Sequence, residues 1–487
     1  MGPGATVGPD NFPAKYSFNE GTANCSTAAQ PDFVVYNTSL AGSLTQATIG
    51  AFDNIYSSCS GTVPTTYWAY NTGTTGAVQT SPVLSGDGKQ VAFIQNTATT
   101  ATLVLIKWLA NDGAFLAPTT LTNSASAAAY STCVTTTAGP CMFTITFSIL
   151  NGGAASLDTI SSPFYDFAND ALYVGNANGY LHKFNPVFLG APAEIVSTAG
   201  ANRWPATVIA ASALTSPVFD DGTGGVFVAS AGRHLYRVDS IIGKGAGGTV
   251  ASGLLGNTGI DDSPLLDPST ENVYVFVRGD ATAGAGRRAG VYQFSASFAA
   301  GATGTEAQVG SNNTLPATGF YAGDFDNIYY TSANGTGNMY VCGTNGGLTA
   351  LWQIPVTAGV LGTPVAGPTL TTVNVACSPI TEFYDGTTDW MFLNATNDAV
   401  TVAPVTCPTA TGCVMSYNIT SAAGWGTTTT TSHTVAAASG ASGIVVDGNS
   451  TTVGASQVYF TPLANQPCTT SGGSGGCAIQ ASQSGLN

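Results

Sequence analysis

The segment LTSPVFDDGTGGVFVASAGRHLYRVDS, Leu214 to Ser240, has near-copies along this 487-residue chain. A repeat constrains a fold more than composition does, because each copy buries its apolar face only against its neighbours. TSPVLSGDGKQVAFIQ begins at Thr80, SSPFYDFANDALYVGNANGYLHKFN at Ser161 and DSPLLDPSTENVYVFV at Asp262. From Gly319, GFYAGDFDNIYYTSANGTGNMYVCGTNGGLTALWQI keeps the plan without its Ser-Pro. CSPITEFYDGTTDWMFLN from Cys377 restores it, and ASGIVVDGNSTTVGASQVYFT from Ala441 is a degenerate last copy. The starts recur about every 47 to 81 residues, within or just above the period of a propeller blade.

Each part of the copy has a local reading. Ser-Pro opens a strand, since a proline at the first position costs no ladder hydrogen bond. The Asp/Gly cluster after it is a turn. An alternating apolar strand follows (GVFVAS, ALYVGN), then Gly/Asn, then a third strand (HLYRV, YLHKF) and a weaker fourth in the linker. A four-stranded antiparallel meander repeated in this way is an all-β propeller with almost no helix. A solenoid fails on the period, and a sandwich gives no reason for a repeat.

Ahead of the first clear Ser-Pro, NFPAKYSFN, FVVYNTS, ATIGAFDNIY and TTYWAYNT read as four further strands, and the last copy shows three. The expected architecture is seven four-stranded blades, with eight as the alternative, in which case one blade lacks a strand. Residues 1–66 are then an amino-terminal β arm that closes the ring or reaches another subunit, and 67–487 are the propeller.

At these residues the chain resembles the quinoprotein-type propeller repeat, whose blades open on Ser-Pro and continue vYvGs-x-dG-x-Lyald. Ser162 to Asn185 is the best match, and WAYNTGTTGAVQTSPVLSGDG from Trp68 echoes the family's Trp and Thr-Gly between blades. The resemblance implies the fold. The family holds pyrroloquinoline-quinone dehydrogenases and also propellers without a cofactor, such as the outer-membrane assembly lipoprotein. The dehydrogenases need a calcium ion held by carboxylates, an aspartate base and usually an adjacent Cys-Cys. This chain has no vicinal cysteines and 6 Trp.

The carboxylates Asp220, Asp221, Asp261, Asp262, Asp324 and Asp326 fall at turns or strand openings of different copies, where capping explains them. DFDN at Asp324 lacks the spacing of a dedicated calcium loop. His182 and His234 hold equivalent places in successive copies, which accounts for them without a metal; His433 is the third histidine. No nucleophile elbow and no phosphate loop occur. The expectation is no enzyme, no catalytic residue, no cofactor and no metal.

The 10 cysteines fall in order into neighbouring pairs that close Gly/Ser/Thr-rich loops, giving Cys25–Cys59, Cys133–Cys141, Cys342–Cys377, Cys407–Cys413 and Cys468–Cys477 as the expected disulfides. Such bridges belong to an oxidising compartment. Charged residues make up 8% and the net charge is −15, which opposes nucleic acid and anionic membranes. No apolar run is long enough to span a bilayer. The amino terminus has no signal-peptide pattern, so a signal already removed is expected, with an extracellular or cell-surface location. Seven N-x-[ST] sequons, among them Asn37, Asn334 and Asn394, are compatible with glycans.

A nearly uncharged Thr/Ser/Asn-rich surface loses little charge solvation when identical copies pack together. The expected function is a self-assembling extracellular structural subunit, a fibre or surface array whose partners are other copies. A terminal strand would add to a neighbour's sheet edge, with FPAKYSF (Phe12, Pro13, Tyr16 and Phe18) as first donor and the tail after Cys477 as second. The alternatives are a secreted glycan- or protein-binding propeller and, further off, a quinone-dependent dehydrogenase.

Overall fold

The computed structural model describes residues 11–73, 75–136, 138–148, 158–197, 203–281, 286–311, 313–396, 412–420, 425, 431–448, 452–468 and 473–482. The chain is an all-β propeller of eight blades. It divides into two compact units, Met1–Ala213 with Val445–Ser484, and Leu214–Ile444 with Gly485–Asn487. Blades 1, 2, 3 and 8 belong to the first unit and blades 4 to 7 to the second.

The seven-blade expectation is thereby corrected to the alternative of eight. Blade 1 is a sheet of Ala14–Tyr16, Phe33–Asn37, Ile49–Asp53 and Thr65–Asn71, in that order, with Thr119–Thr120 added in parallel. The last of its four antiparallel strands straddles residue 66. The physical reason is visible at Pro13. It stands directly before the innermost strand, as Pro82 stands before Val83–Leu84, Pro163 before Phe164–Asp166, Pro217 before Val218–Asp220 and Pro264 before Leu265–Asp267. Phe12-Pro13 is therefore a blade opener in which phenylalanine replaces serine.

The Asp that ends the innermost strand repeats a second device. Asp166 accepts from the amides of Ala168 (3.0 Å) and Asn169 (3.1 Å), Asp220 from Gly222 and Thr223 (3.1 Å each), and Asp267 from Ser269 (2.9 Å). Each carboxylate thus fastens the first turn of blades 3, 4 and 5.

Central strands are buried along their whole length, as in Phe33–Asn37, Ala171–Gly175 and Gly225–Ala229. Their two faces feed two different cores. In the first unit, Phe33, Trp68 and Tyr70 of blade 1 meet Val91, Phe93 and Val104 of blade 2. In the second, Phe227 and Leu235 of blade 4 meet Val273, Val275 and Phe294 of blade 5. A side chain of this size stabilises by about 1.5–3 kcal/mol when fully buried.

Helix is confined to Ala127–Thr136 and the short Asn327–Thr331 among the described residues. The longer one interrupts blade 2 between Ala101–Lys107 and Cys141–Thr146. Ser126 Oγ accepts from Ala129 N at its start (3.1 Å), Tyr130 reaches inward to Gln90 Oε1 (3.0 Å), and Cys133–Cys141 ties it to the strand. Cys25–Cys59, Cys342–Cys377 and Cys468–Cys477 are also formed, with Cα–Cα distances of 5.6, 6.2 and 5.6 Å. Cys413 is disulfide-bonded, while Cys407, its expected partner, lies outside the described residues.

Circular dichroism should show a β spectrum with helix below about a tenth of the chain, and a larger helical share contradicts the fold. The double substitution Cys25→Ser/Cys59→Ser opens a loop of separation 34 and should lower stability by about 3 kcal/mol in denaturant titration.

Candidate functional site

The donor segment expected from the sequence sits in its own chain. Ala14–Tyr16 pairs antiparallel with Phe33–Val35 as the innermost strand of blade 1. Phe12 N donates to Ser81 Oγ (2.8 Å), Asn11 Nδ2 to the Gln79 carbonyl (2.9 Å) and Tyr16 OH to the Gly86 carbonyl (2.7 Å), all in blade 2. The Tyr16 and Phe18 rings meet edge to face at 4.9 Å, and Tyr16 stacks on Phe33 at 5.8 Å. Pro13 is buried, while Phe12, Tyr16 and Phe18 are half-buried. On the other flank Lys15 Nζ lies 2.7 Å from Asp447 Oδ2 of blade 8. The segment is clamped between the blades on either side of it.

Blade 8 is the odd member. Its strands are Val445–Asp447, Gln457–Phe460 and Ile479–Ser482, three where every other blade has at least four. Ile479–Ser482 pairs through one edge with Gln457–Phe460, and its other edge carries no strand among the described residues. Between Phe460 and Ile479 the chain turns through the small hairpin Gln466–Cys468 and Gly473–Gly475, closed by Cys468–Cys477.

The blade is nevertheless held firmly on blade 1. Tyr36 OH donates to the Ile479 carbonyl (3.1 Å), Tyr459 OH to the Ile55 carbonyl (3.0 Å) and Ser57 N to the Gly454 carbonyl (3.1 Å). Val34, Tyr36, Ile55 and Tyr56 share a core with Ala455 and Tyr459. Tyr56 OH donates to Asp32 Oδ2 at 2.6 Å. Burial, then the nearby carboxylate charge of Asp447, holds the hydroxyls of Tyr56 and Tyr459 far above the usual range, so both stay neutral donors. Blade 8, three-stranded among the described residues, thus stands on a rigid base.

The candidate carboxylates do not converge. Asp220 fastens its turn, Asp326 caps Asn327–Thr331 by accepting from Tyr329 N (2.9 Å), and Asp221 is exposed. Asp262 accepts from the amides of Ser263 and Ala322 (2.7 Å each), and burial pushes its carboxyl up to about 6. Burial also raises Asp261, against the nearby charge of Arg278. Asp324 accepts from Glu382 N (2.8 Å). His182 Nδ1 is 2.7 Å from Glu194 Oε1, and His234 Nδ1 is 2.9 Å from the Ser252 carbonyl, so each is satisfied within its own blade. The His433 side chain lies outside the described residues. No three His, Cys, Asp or Glu side chains among the described residues are placed to hold a metal. Of the sequons, Asn37 and Asn394 are buried and Asn334 is exposed.

A pair that sequence reading missed stands where blades 6 and 7 meet. The carboxyl groups of Glu382 and Asp389 lie close together, and Asp389 Oδ2 accepts from Asn327 N at 2.8 Å. Asp324 and Asp326 stand near them and add their negative charge. Burial first, then the bond to Asp389 and these charges, pushes Glu382 up to about 9. Glu382 therefore keeps its proton well above the usual carboxylate range. Arg288 is the last Lys or Arg of the sequence, and that depletion was the signal available to find the pair.

No family model matches the chain, and no curated protein does. Among solved structures, the chain is similar to BamB from Moraxella catarrhalis, at 10% identity over 93% of this chain and 95% of that one, with a TM-score of 0.42. It is also similar to a putative 6-phosphogluconolactonase from Bacteroides fragilis NCTC 9343, at 10% identity over 77% and 92%, with a TM-score of 0.38. These likenesses concern the fold and transfer no residue and no activity.

The raised carboxyl gives a pH dependence of definite sign. The folded chain holds the Glu382 proton that the unfolded chain releases above its ordinary value of 4.5, so this contribution is complete below that pH and is lost as pH rises toward about 9. Glu382→Gln should flatten the alkaline fall of the melting temperature; an unchanged profile contradicts the pairing.

Proposed function

We propose that the protein is a secreted, non-enzymatic propeller that works as a self-assembling extracellular structural subunit. Its contact between copies is a terminal strand addition. The single observation that carries this reading is blade 8, which has three strands among the described residues where every other blade has at least four, on a base fixed to blade 1. A blade one strand short is a template for another strand. Of the two donors expected from the sequence, the segment around Phe12, Pro13, Tyr16 and Phe18 lies inside the five-stranded blade 1, whereas the tail after Cys477 forms the last strand of the three-stranded blade 8 and is the better one. Two copies that pair these tails extend both short blades at once, in a closed two-fold contact.

Disulfides support an oxidising, extracytoplasmic setting. Among the described residues no helix is long and apolar enough to cross a membrane. The experiment is electron microscopy and light scattering of the full chain beside Ala481→Lys, which puts a charge on the edge strand. Wild type should form species larger than one propeller and the variant should not. Single propellers of wild type at every concentration overturn the reading and leave a secreted glycan- or protein-binding module in its place.

A further inference from the structure

The first blade and the last meet without sharing a strand. Every strand of blade 1 lies within residues 14–120, and every strand of blade 8 among the described residues lies within 445–482. Both blades belong to the first compact unit. At their seam Lys15, in the innermost strand of blade 1, reaches the innermost strand of blade 8, where its Nζ lies 2.7 Å from Asp447 Oδ2. The two side chains are only 14% and 8% exposed.

Asp447 departs from the pattern of the other blades. It ends its innermost strand as Asp166, Asp220 and Asp267 end theirs in blades 3, 4 and 5. Those three accept amide hydrogens from the turn that follows. Asp447 takes no such donor among the described residues, and its buried Oδ2 has only the Lys15 nitrogen beside it. A carboxylate so short of donors is poorly stabilised as an anion.

The surroundings hold the pair in place and keep water away. Lys15 Nζ also donates to Ser17 Oγ, and the Tyr56 ring centre is 5.8 Å from it. Tyr56 and Tyr459 are buried and lie close enough to Asp447 to feel its charge. Asp32 stands near Lys15, but its oxygens are engaged by Tyr56 OH (2.6 Å), Asn24 N (3.2 Å) and Phe18 N (3.3 Å). An ammonium beside a carboxylate has the same atoms as an amine beside a carboxylic acid, and burial favours the neutral form of each. One proton passed across 2.7 Å makes that change. The free amine is then a nucleophile in contact with a carboxyl group, an arrangement whose effective concentration no solution reaches.

We propose that Lys15 and Asp447 condense into an isopeptide bond, a covalent lock between the first blade and the last. The bond from Nζ to Cγ forms, and the bond from Cγ to one carboxyl oxygen breaks. That oxygen leaves with one proton from the acid and one from the amine, as a single water. No oxidant, cofactor or second reactant enters the step. The buried seam that releases this water also protects the amide from hydrolysis. The lock lies within one chain, so it stands whether or not copies assemble through the tail after Cys477.

Mass spectrometry of the intact chain, with its cysteines reduced, tests the bond. Wild type should be lighter than the sum of its residues by one water, and Lys15→Arg should have its full mass. A chymotryptic digest of wild type should contain a branched peptide that joins Lys15 to Asp447; this is read on wild type alone and does not depend on how a variant folds. The Lys15→Arg comparison is needed because Asp447-Gly448 also loses one water if it closes to a cyclic imide. Equal loss of water from both proteins marks the imide and overturns the isopeptide bond. Wild type at its full mass overturns it as well and leaves an ion pair. On a denaturing gel, reduced wild type is still closed into a loop and should migrate ahead of Lys15→Arg; identical migration overturns the lock.

Discussion

A blade of four strands cannot bury both faces of its central strands alone, and every other feature of this chain follows from that. Phe33–Asn37 is buried on both sides because its odd members face blade 2 and its even members face blade 8. The same division recurs in blade 5, where Val273 and Val275 feed one core and Tyr274 and Phe276 another. A copy can therefore lose its Ser-Pro, lengthen a loop or insert a helix, as blades 2 and 6 do, so long as its middle strands stay apolar on both faces. Stability is carried by neighbours, and the units are rows of such interfaces.

The chain does this with very few charges. Among the described residues there are two ion pairs, Lys15–Asp447 and His182–Glu194. Tyrosine hydroxyls do the work that cations do elsewhere. Tyr56 donates to Asp32 at 2.6 Å, Tyr165 to Asp170 at 2.9 Å, Tyr292 to Glu306 at 2.9 Å and Tyr329 to Asp267 at 2.5 Å. A neutral donor with an aromatic body satisfies a carboxylate and fills a core position together, without the cost of desolvating an ammonium or guanidinium. Where even this is absent, at Glu382 and Asp389, a proton fills the gap.

Much of the architecture was legible in the chain. Turn aspartates, alternating strands and short cysteine loops are local devices, and local geometry fixes what they do. Asp166, Asp220 and Asp267 fasten their turns because an Asx carboxylate reaches only the amides two and three residues on. Cys133 and Cys141 meet because a separation of 8 leaves them few other partners within reach. The blade count was misread for a local reason as well: Phe12-Pro13 opens a blade without the serine that marks the others, although the proline alone carries the backbone requirement.

What the sequence by itself determined is the blade: its strands, its turns, its bridges and the repeat that makes blades pack on one another. These depend on contacts between residues near in the chain and on a burial pattern written in every copy. Tertiary structure alone decided what lies between copies. It placed Phe12–Phe18 between Ser81 of blade 2 and Asp447 of blade 8, left blade 8 with three strands among the described residues, and set Glu382 against Asp389. Each of these depends on which blades become neighbours and in what register their turns align, and that is settled by close packing over many residues at once, which no local pattern encodes.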